Sequence, residues 1–317
     1  MTGVTNYSSE LRVECEPGSE VGDQANGGHA GCVDQLIWED EPTRPLRQPI
    51  LVTAWDGLFD VGGAATGAIE ALRGDRATKV GRIDADEFFD FNERRPHVRF
   101  GESGQREIEW PHNDIYALPL DDRDRDLVLM DGVEPHLQWR TFVEAVVDVV
   151  RRFDVKLVLT LGAMIAETPH SRPPSITGST TDAALAELMR LDRPTYQGPT
   201  GVVGALHEHL DRIGVPAVSL RASVPHYVSG SPNPKASRAL LERFERVTGL
   251  PTNWAELDQE AHDWERRVDD AMEDDDDVMH YVRRLEERYD ARTASSLPNA
   301  DDLAAEFERF LRQHDDG

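Results

Sequence analysis

Cysteine is almost missing from this chain of 317 residues: Cys15 and Cys32 are the only two. That scarcity excludes a disulfide scaffold and a Cys-rich metal site, and it points to a reducing cytoplasm as the compartment. Lysine stands only at positions 79, 156 and 235, and arginine supplies the remaining positive charge. A GC-rich genome and a high-salt cytoplasm would each produce that bias. Long apolar runs are missing too. None approaches the ~20 residues of a membrane span, and Met1 to Cys15 has neither the basic nor the apolar region of a secretory leader. A soluble chain with no membrane partner is expected.

The short motifs of several chemistries are absent as well. There is no Gly-x-x-x-x-Gly-Lys-Ser/Thr loop, no Gly-x-Gly-x-x-Gly fingerprint and no Gly-x-Ser-x-Gly elbow. His207-Glu208-His209 does not repair this, because residues two apart on a helix point in different directions, unlike the four-residue spacing of zinc helices. No cofactor and no metal are expected.

What is present is acid: 60 Asp+Glu against 34 Lys+Arg, a net charge of −26. Residues 1–50 hold 9 acidic and 3 basic residues, and residues 249–317 hold 21 and 8. Acidity is thus concentrated at the two ends, and with no counterion-releasing basic surface a nucleic-acid partner is not expected. A chain of this length buries ~75% of its unfolded surface, so a sizeable core needs no staples.

Three regions are predicted. Residues 1–45 form an acidic, largely flexible segment, glycine-rich over 16–32. Residues 46–249 read as α/β: apolar strands at Ile50–Trp55, Lys79–Asp84, Ile115–Leu120, Asp126–Gly132, Val155–Leu161 and Val215–Ala222 alternate with helical spacings at Gly62–Leu72, Trp139–Phe153, Val202–Ile213 and Pro234–Val247. Near-continuous apolar strands with helix-length crossovers imply a parallel sheet covered on both faces. Residues 250–317 carry a helix-only period, Leu257, Ala261, Trp264, Val268, Met272 and then Val278, Val282, Leu285, Tyr289, with a last helix marked by Leu303, Phe307, Phe310 and Leu311.

Candidate functional residues follow from strand direction. In a parallel sheet, ligands and partners are met at the carboxyl ends of the strands. Four strands here end in polar or turn-forming loops: Trp55-Asp56-Gly57, Gly132 to His136, Gly162 to Arg172, and Val224 to Tyr227. Asp56, Glu134, Glu167, His170, Arg172 and His226 are therefore expected as neighbours on one rim, available for acid–base chemistry or for recognition. Gly198-Pro199-Thr200-Gly201 precedes a helix start and offers backbone N–H groups with the Thr200 hydroxyl, either as an anion site or as a plain helix cap.

These segments carry a family resemblance. Thr53-Ala54-Trp55-Asp56-Gly57, Asp131-Gly132-Val133-Glu134-Pro135 with Trp139-Arg140-Thr141-Phe142, Thr160-Leu161-Gly162-Ala163 with Pro169-His170-Ser171-Arg172-Pro173, Gly198 to Gly201, and Val224-Pro225-His226-Tyr227-Val228 resemble the actinobacterial-type branch of the proteasome-assembly-chaperone family, the family of the second eukaryotic assembly chaperone. The likeness runs from about residue 48 to 312. It implies a three-layer α/β/α fold of phosphorylase/hydrolase type with a carboxyl-terminal helical appendage. It also implies a non-catalytic interaction protein of a family that forms homo-oligomers or heterodimers, here a homo-oligomer, with proteasome subunits or another protein as the further partner. Some relatives dock through a carboxyl-terminal hydrophobic–tyrosine–any tripeptide, whereas this sequence closes on His314-Asp315-Asp316-Gly317. The alternative is a phosphorylase/hydrolase-like enzyme acting on an anionic or nucleoside-like molecule at the rim formed by Trp55, Asp56, Gly57, Glu134, Gly162, Glu167, His170, Arg172, Thr200, Gly201, His226 and Tyr227.

Overall fold

The computed structural model describes residues 35–101 and 103–296. Cys15, Cys32, the glycine-rich stretch and the expected last helix at Leu303–Leu311 lie outside the described residues. In chain order the elements are β1 (Leu36–Trp38), β2 (Ile50–Asp56), α1 (Ala64–Arg73), β3 (Thr78–Ile83), β4 (His97–Phe100), β5 (Arg106–Glu109), β6 (Asn113–Leu118), β7 (Leu127–Val133), α2 (Trp139–Arg152), β8 (Leu157–Ala166), β9 (Ile176–Ser179), α3 (Ala183–Met189), α4 (Val202–Arg212), β10 (Ala217–Pro225), α5 (Pro234–Thr248), α6 (Asp258–Met272) and α7 (Asp276–Ser296).

One sheet of eight strands runs in the order β1-β3-β6-β7-β2-β8-β10-β9, and β4 and β5 form a separate hairpin. The core β7-β2-β8-β10 is parallel. Its flanks are not: β6 runs antiparallel to β7, β3 to β6, β1 to β3, and β9 to β10. The sheet is mixed because β6 and β7 are joined by a short loop, while parallel neighbours need a crossover of helix length. The four core strands are the most apolar ones, and α1, α2 and α4 supply that covering crossover material.

Alternate residues of the strands feed two separate apolar layers. Val52, Leu159, Leu161, Leu220 and Val224 pack against Ile69, Leu240 and Phe244 of α1 and α5. Leu51, Val128 and Val158 pack against Phe142, Val146 and Leu206 of α2 and α4. This is the three-layer α/β/α arrangement. Burying each such side chain contributes about 1.5–3 kcal/mol. A buried carboxylate locks the lower edge: Asp126 accepts from Arg44 Nη1 and Nη2 at 2.6 and 2.8 Å and from the N–H groups of Arg47 and Leu120 at 2.6 and 2.8 Å. Burial alone would raise its pKa, but the Arg44 fork and then the two backbone donors hold it well below the usual carboxylate range.

Order begins earlier than residue 46. Leu36–Trp38 pairs with β3, and Trp38 is sandwiched by the Arg152 guanidinium, 4.2 Å above its ring, and the edge of Phe153 at 5.8 Å. Gly81 in β3 permits this approach, since a Cβ there would stand 2.7 Å from the Ile37 carbonyl oxygen. At the other end α5 closes on Gly249, whose φ of 71° is the left-handed conformation that ends helices. Beyond it α6 packs along α5 and α7 along α6.

Candidate functional site

The carboxyl edge of the parallel core divides into two clusters. Strand order separates them: β7 is two strand spacings from β8 and three from β10, about 10 and 14 Å at the usual interstrand distance. Glu134, after β7, and the His170–Arg172–His226 group, after β8 and β10, therefore have different partners. The expected single cluster, with Arg172 beside Glu134, is corrected accordingly.

The first cluster is built on Glu134. Its Oε2 accepts from Leu58 N at 3.1 Å and its Oε1 from Val202 N, the first residue of α4, at 3.4 Å. Two glycines make room for it. A Cβ on Gly57 would lie 2.5 Å from Oε2, and one on Gly201 would lie 3.0 Å from Oε1. The anion at the amino terminus of α4 is thus the chain's own carboxylate, which suits the positive end of the helix dipole. The N-cap residue is Gly201, which has no side chain to cap with, rather than Thr200. Asp56 pairs with Arg94, and its carbonyl accepts from Glu134 N at 3.0 Å. Trp55 is not a rim residue at all: it is buried, edge-on to Phe142 at 5.7 Å. Gly162 seats the 57–60 loop on β8, where Ala163 N donates to the Phe59 carbonyl at 2.6 Å and a Cβ on Gly162 would meet that same oxygen at 3.2 Å.

The second cluster is covered by α6 and α7. His170 is 2% exposed. Its backbone N–H donates to Tyr227 Oη at 2.8 Å, its Nδ1 lies 2.9 Å from the same oxygen, and its Nε2 lies 2.9 Å from Asp269 Oδ1 on α6. The Asp269 carboxylate can only accept, so the Nε2 N–H donates to it, while Tyr227 Oη, which accepts from the His170 backbone N–H, is also the partner of Nδ1. Burial pushes the Tyr227 phenol up to about 12, far from a working acid or base at neutral pH. The Tyr–His–Asp chain is a clamp between β10, the loop after β8, and α6.

Neighbouring contacts repeat that pattern. Arg172 binds Asp290 of α7 in a two-pronged pair, Nε to Oδ1 at 2.9 Å and Nη2 to Oδ2 at 2.8 Å, and Nη1 reaches Glu286 at 3.4 Å. Ser171 donates to Glu286, and Glu167 accepts from Arg288 at 2.9 Å. The His226 ring stands edge-on to Tyr227 and to Tyr281 at 5.3 and 5.5 Å. Lys235 bridges the His170 carbonyl and Glu265, both at 2.6 Å. One side of these pairs was legible as a strand-end loop; the other, Asp269, Glu286, Arg288 and Asp290, was not. The available signal was the acid excess of the last helices facing Arg172 and Lys235.

The matches to known proteins agree with this architecture. The family model described as the PAC2 family matches residues 54–272. A PAC2 family protein of Streptomyces avermitilis is 40% identical, covering 74% of this chain and 99% of its own with a TM-score of 0.68. A Mycobacterium tuberculosis proteasome-assembly chaperone homologue is 38% identical over 74% of this chain and 99% of its own, at a TM-score of 0.66. An archaeal proteasome activator from Pyrococcus furiosus, 18% identical over 74% of this chain and 97% of its own at a TM-score of 0.60, shares the fold. The matched span runs from within β2 through α6 and so takes in the rim residues of both clusters and one of the two helices that cover the second, which makes this chain a member of the PAC2 family.

Proposed function

We propose that this protein is a non-catalytic interaction protein of the assembly-chaperone type, that it works as a homo-oligomer, and that proteasome subunits are its further partners. Two relatives supply the partner class, one being a proteasome-assembly chaperone homologue and the other, sharing the fold, a proteasome activator. The non-catalytic reading is supported by the rim itself. Glu134, Glu167, His170 and Arg172 are each engaged with the protein's own backbone or helices, and the α4 amino terminus already holds a carboxylate.

The observation that carries self-association is the β4–β5 hairpin. Val98 opposes Ile108 and Phe100 opposes Arg106, so Val98, Phe100, Ile108 and, two residues on, Trp110 line one face. These four are 45%, 76%, 52% and 46% exposed. A lone two-stranded ribbon with a bare apolar face is marginal in water. Charge favours a second copy as what covers it. Residues 94–110 hold four arginines and three glutamates in a chain of net charge −26, and copies of so acidic a protein approach most easily where their charge is balanced.

Sedimentation velocity of the full chain against a Phe100→Asp, Ile108→Asp variant tests the self-association. An oligomer that dissociates in the variant, which keeps a cooperative thermal transition, is expected. A wild type that is monomeric at micromolar concentration, or an oligomer that the variant leaves intact, overturns it. Binding to purified proteasome α and β subunits from the same host tests the partner class, and a full chain that binds neither removes it.

A further inference from the structure

The α4 side of the sheet carries a polar stripe that nothing above uses. Register places Thr53 beside Thr160, Thr160 beside Ser219, and Ser219 beside Ser179, so four hydroxyl residues form one row across β2, β8, β10 and β9. Leu51, Val158 and Ala217, two residues earlier on three of these strands, pack in the apolar layer of α2 and α4, so this row faces the same way. The next row is Gly162, Arg221 and Thr177. Such a stripe is out of place on a face otherwise built from valine and leucine.

Arg221 is the anomaly within it. Acidic residues outnumber basic ones by 60 to 34, yet among the described residues no carboxylate pairs with this guanidinium. Its one side-chain hydrogen bond runs from Nη2 to Ser179 Oγ at 3.3 Å. Burial lowers its pKa, so the charge is held at a desolvation cost with no counterion. Gly162 lets the stem lie over β8, the Cγ of Arg221 being 3.5 Å from where a Cβ would stand.

Three further groups complete the surroundings. His207 of α4 stands over the hydroxyl row, its Nε2 3.0 Å from Thr160 Oγ1. Burial first, and the Arg221 charge second, depress its pKa to about 4, so the imidazole is neutral at pH 7. The Thr53 hydroxyl, fully buried in the same row, has no hydrogen-bond partner among the described residues. Thr177, beside Arg221, is exposed, and β9 is the last strand of the sheet, so the stripe opens to solvent at that edge.

We infer that Arg221, with Ser179 and His207 beside it, forms an oxyanion-binding site on the α4 face of the sheet that takes a small phosphate- or carboxylate-bearing molecule. A guanidinium offers a planar fork of N–H donors that matches either oxyanion in two-pronged fashion. The hydroxyls add donors without adding charge, and the neutral imidazole puts no second cation beside the guanidinium. The site lies on different residues from the rim, and its existence does not depend on the assembly role proposed above.

Calorimetric titration of the full chain at low ionic strength, with inorganic phosphate in one arm and acetate and citrate in the other, tests it. Saturable binding is expected, and the arm that binds identifies the ligand class. Arg221→Gln should abolish the binding, and Arg221→Lys, which keeps the charge but loses the fork, should weaken it at least tenfold. Should Arg221→Gln fail to fold, the proton resonances of His207, assigned with His207→Gln, provide the second measurement. They should shift on phosphate addition, with the imidazole pKa moving upward as the nearby positive charge is neutralised. No saturable binding at millimolar anion, or binding that survives in Arg221→Gln, overturns the proposal.

Discussion

Arg172 and Asp290 stand 118 residues apart in sequence and meet in a two-pronged ion pair, with Nε–Oδ1 at 2.9 Å and Nη2–Oδ2 at 2.8 Å. The pair ties the loop after β8 to α7, and it raises the Arg172 pKa and lowers that of Asp290 through their mutual hydrogen bonds. Both side chains are partly exposed, so the pair acts by placing α7 more than by adding global stability.

Arg172→Ala should therefore loosen one helix. Amide hydrogen exchange in α7 is expected to accelerate several-fold while exchange in β8 and α5 stays as in the wild type, and the difference should shrink at high salt. Exchange in α7 that is identical in the two proteins would show that the remaining contacts, Glu286 with Ser171 and Glu167 with Arg288, suffice.

Glu134→Ala removes the acceptor for two backbone N–H groups, those of Leu58 and Val202. By analogy with the loss of a helix cap, it should cost about 1 kcal/mol. Glu134→Gln, which keeps an acceptor oxygen, should cost less. Gly57→Ala aims a methyl group at the same carboxylate, 2.5 Å from Oε2, so its effect and that of Glu134→Ala should be non-additive in the double variant. Urea titrations measure all four, and full additivity would refute the coupling of these two residues.

The cost of enclosing His207 predicts a pH dependence. Its pKa falls from an unfolded value near 6.5 to about 4. Between those values the unfolded chain binds more protons than the folded one, so stability is fully present above pH ~6.5 and is lost as pH falls toward 4. The loss from this group amounts to ~3 kcal/mol at 1.36 kcal/mol per pH unit. In a His207→Gln variant that slope should flatten, as read from denaturant midpoints across the interval. Parallel curves for variant and wild type would mean that His207 is not enclosed.

The legible part of this fold was the part fixed by local pattern. Apolar runs and their polar exits gave β2, β7, β8 and β10 together with the shared direction of their ends. Strand order is set by packing, so the separation of Glu134, after β7, from Arg172, after β8, by the intervening β2 had no local signature. Trp55 lies at the end of a run that is apolar on both faces, which conceals which way its side chain turns. β1 is three residues long, too short to show a period. The hairpin did leave a trace: His97-Val98-Arg99-Phe100 and Glu107-Ile108-Glu109-Trp110 alternate polar with apolar around a glycine-bearing turn, the ordinary hairpin signal, lost among the charges of residues 86–111. Arg221 was hidden for the opposite reason, as one charged residue inside a strand read for its hydrophobicity.

The carboxyl-terminal helices give the last test. Trp264, Val268, Val282 and Leu285 are buried, and Trp254 is held under the Arg238 guanidinium, 4.3 Å from its ring, so these residues serve internal packing. Yet neither α6 nor α7 contributes to the two apolar layers of the sheet. Their links to the rest run through α5 and through the polar set at His170, Arg172 and Lys235. Deleting residues 250–317 removes Leu250, Trp254 and Leu257 from the layer of α1 and α5 but leaves the core strands and four covering helices, so the remaining domain should still unfold cooperatively, at a lower melting temperature. The same deletion uncovers His170 and Tyr227 and the outer face of α5, so concentration-dependent aggregation should follow. Light scattering together with a thermal melt separates the outcomes. A truncated chain that shows no cooperative transition would mean that α6 and α7 belong to a single core with the α/β layers, and that Gly249 is not a boundary.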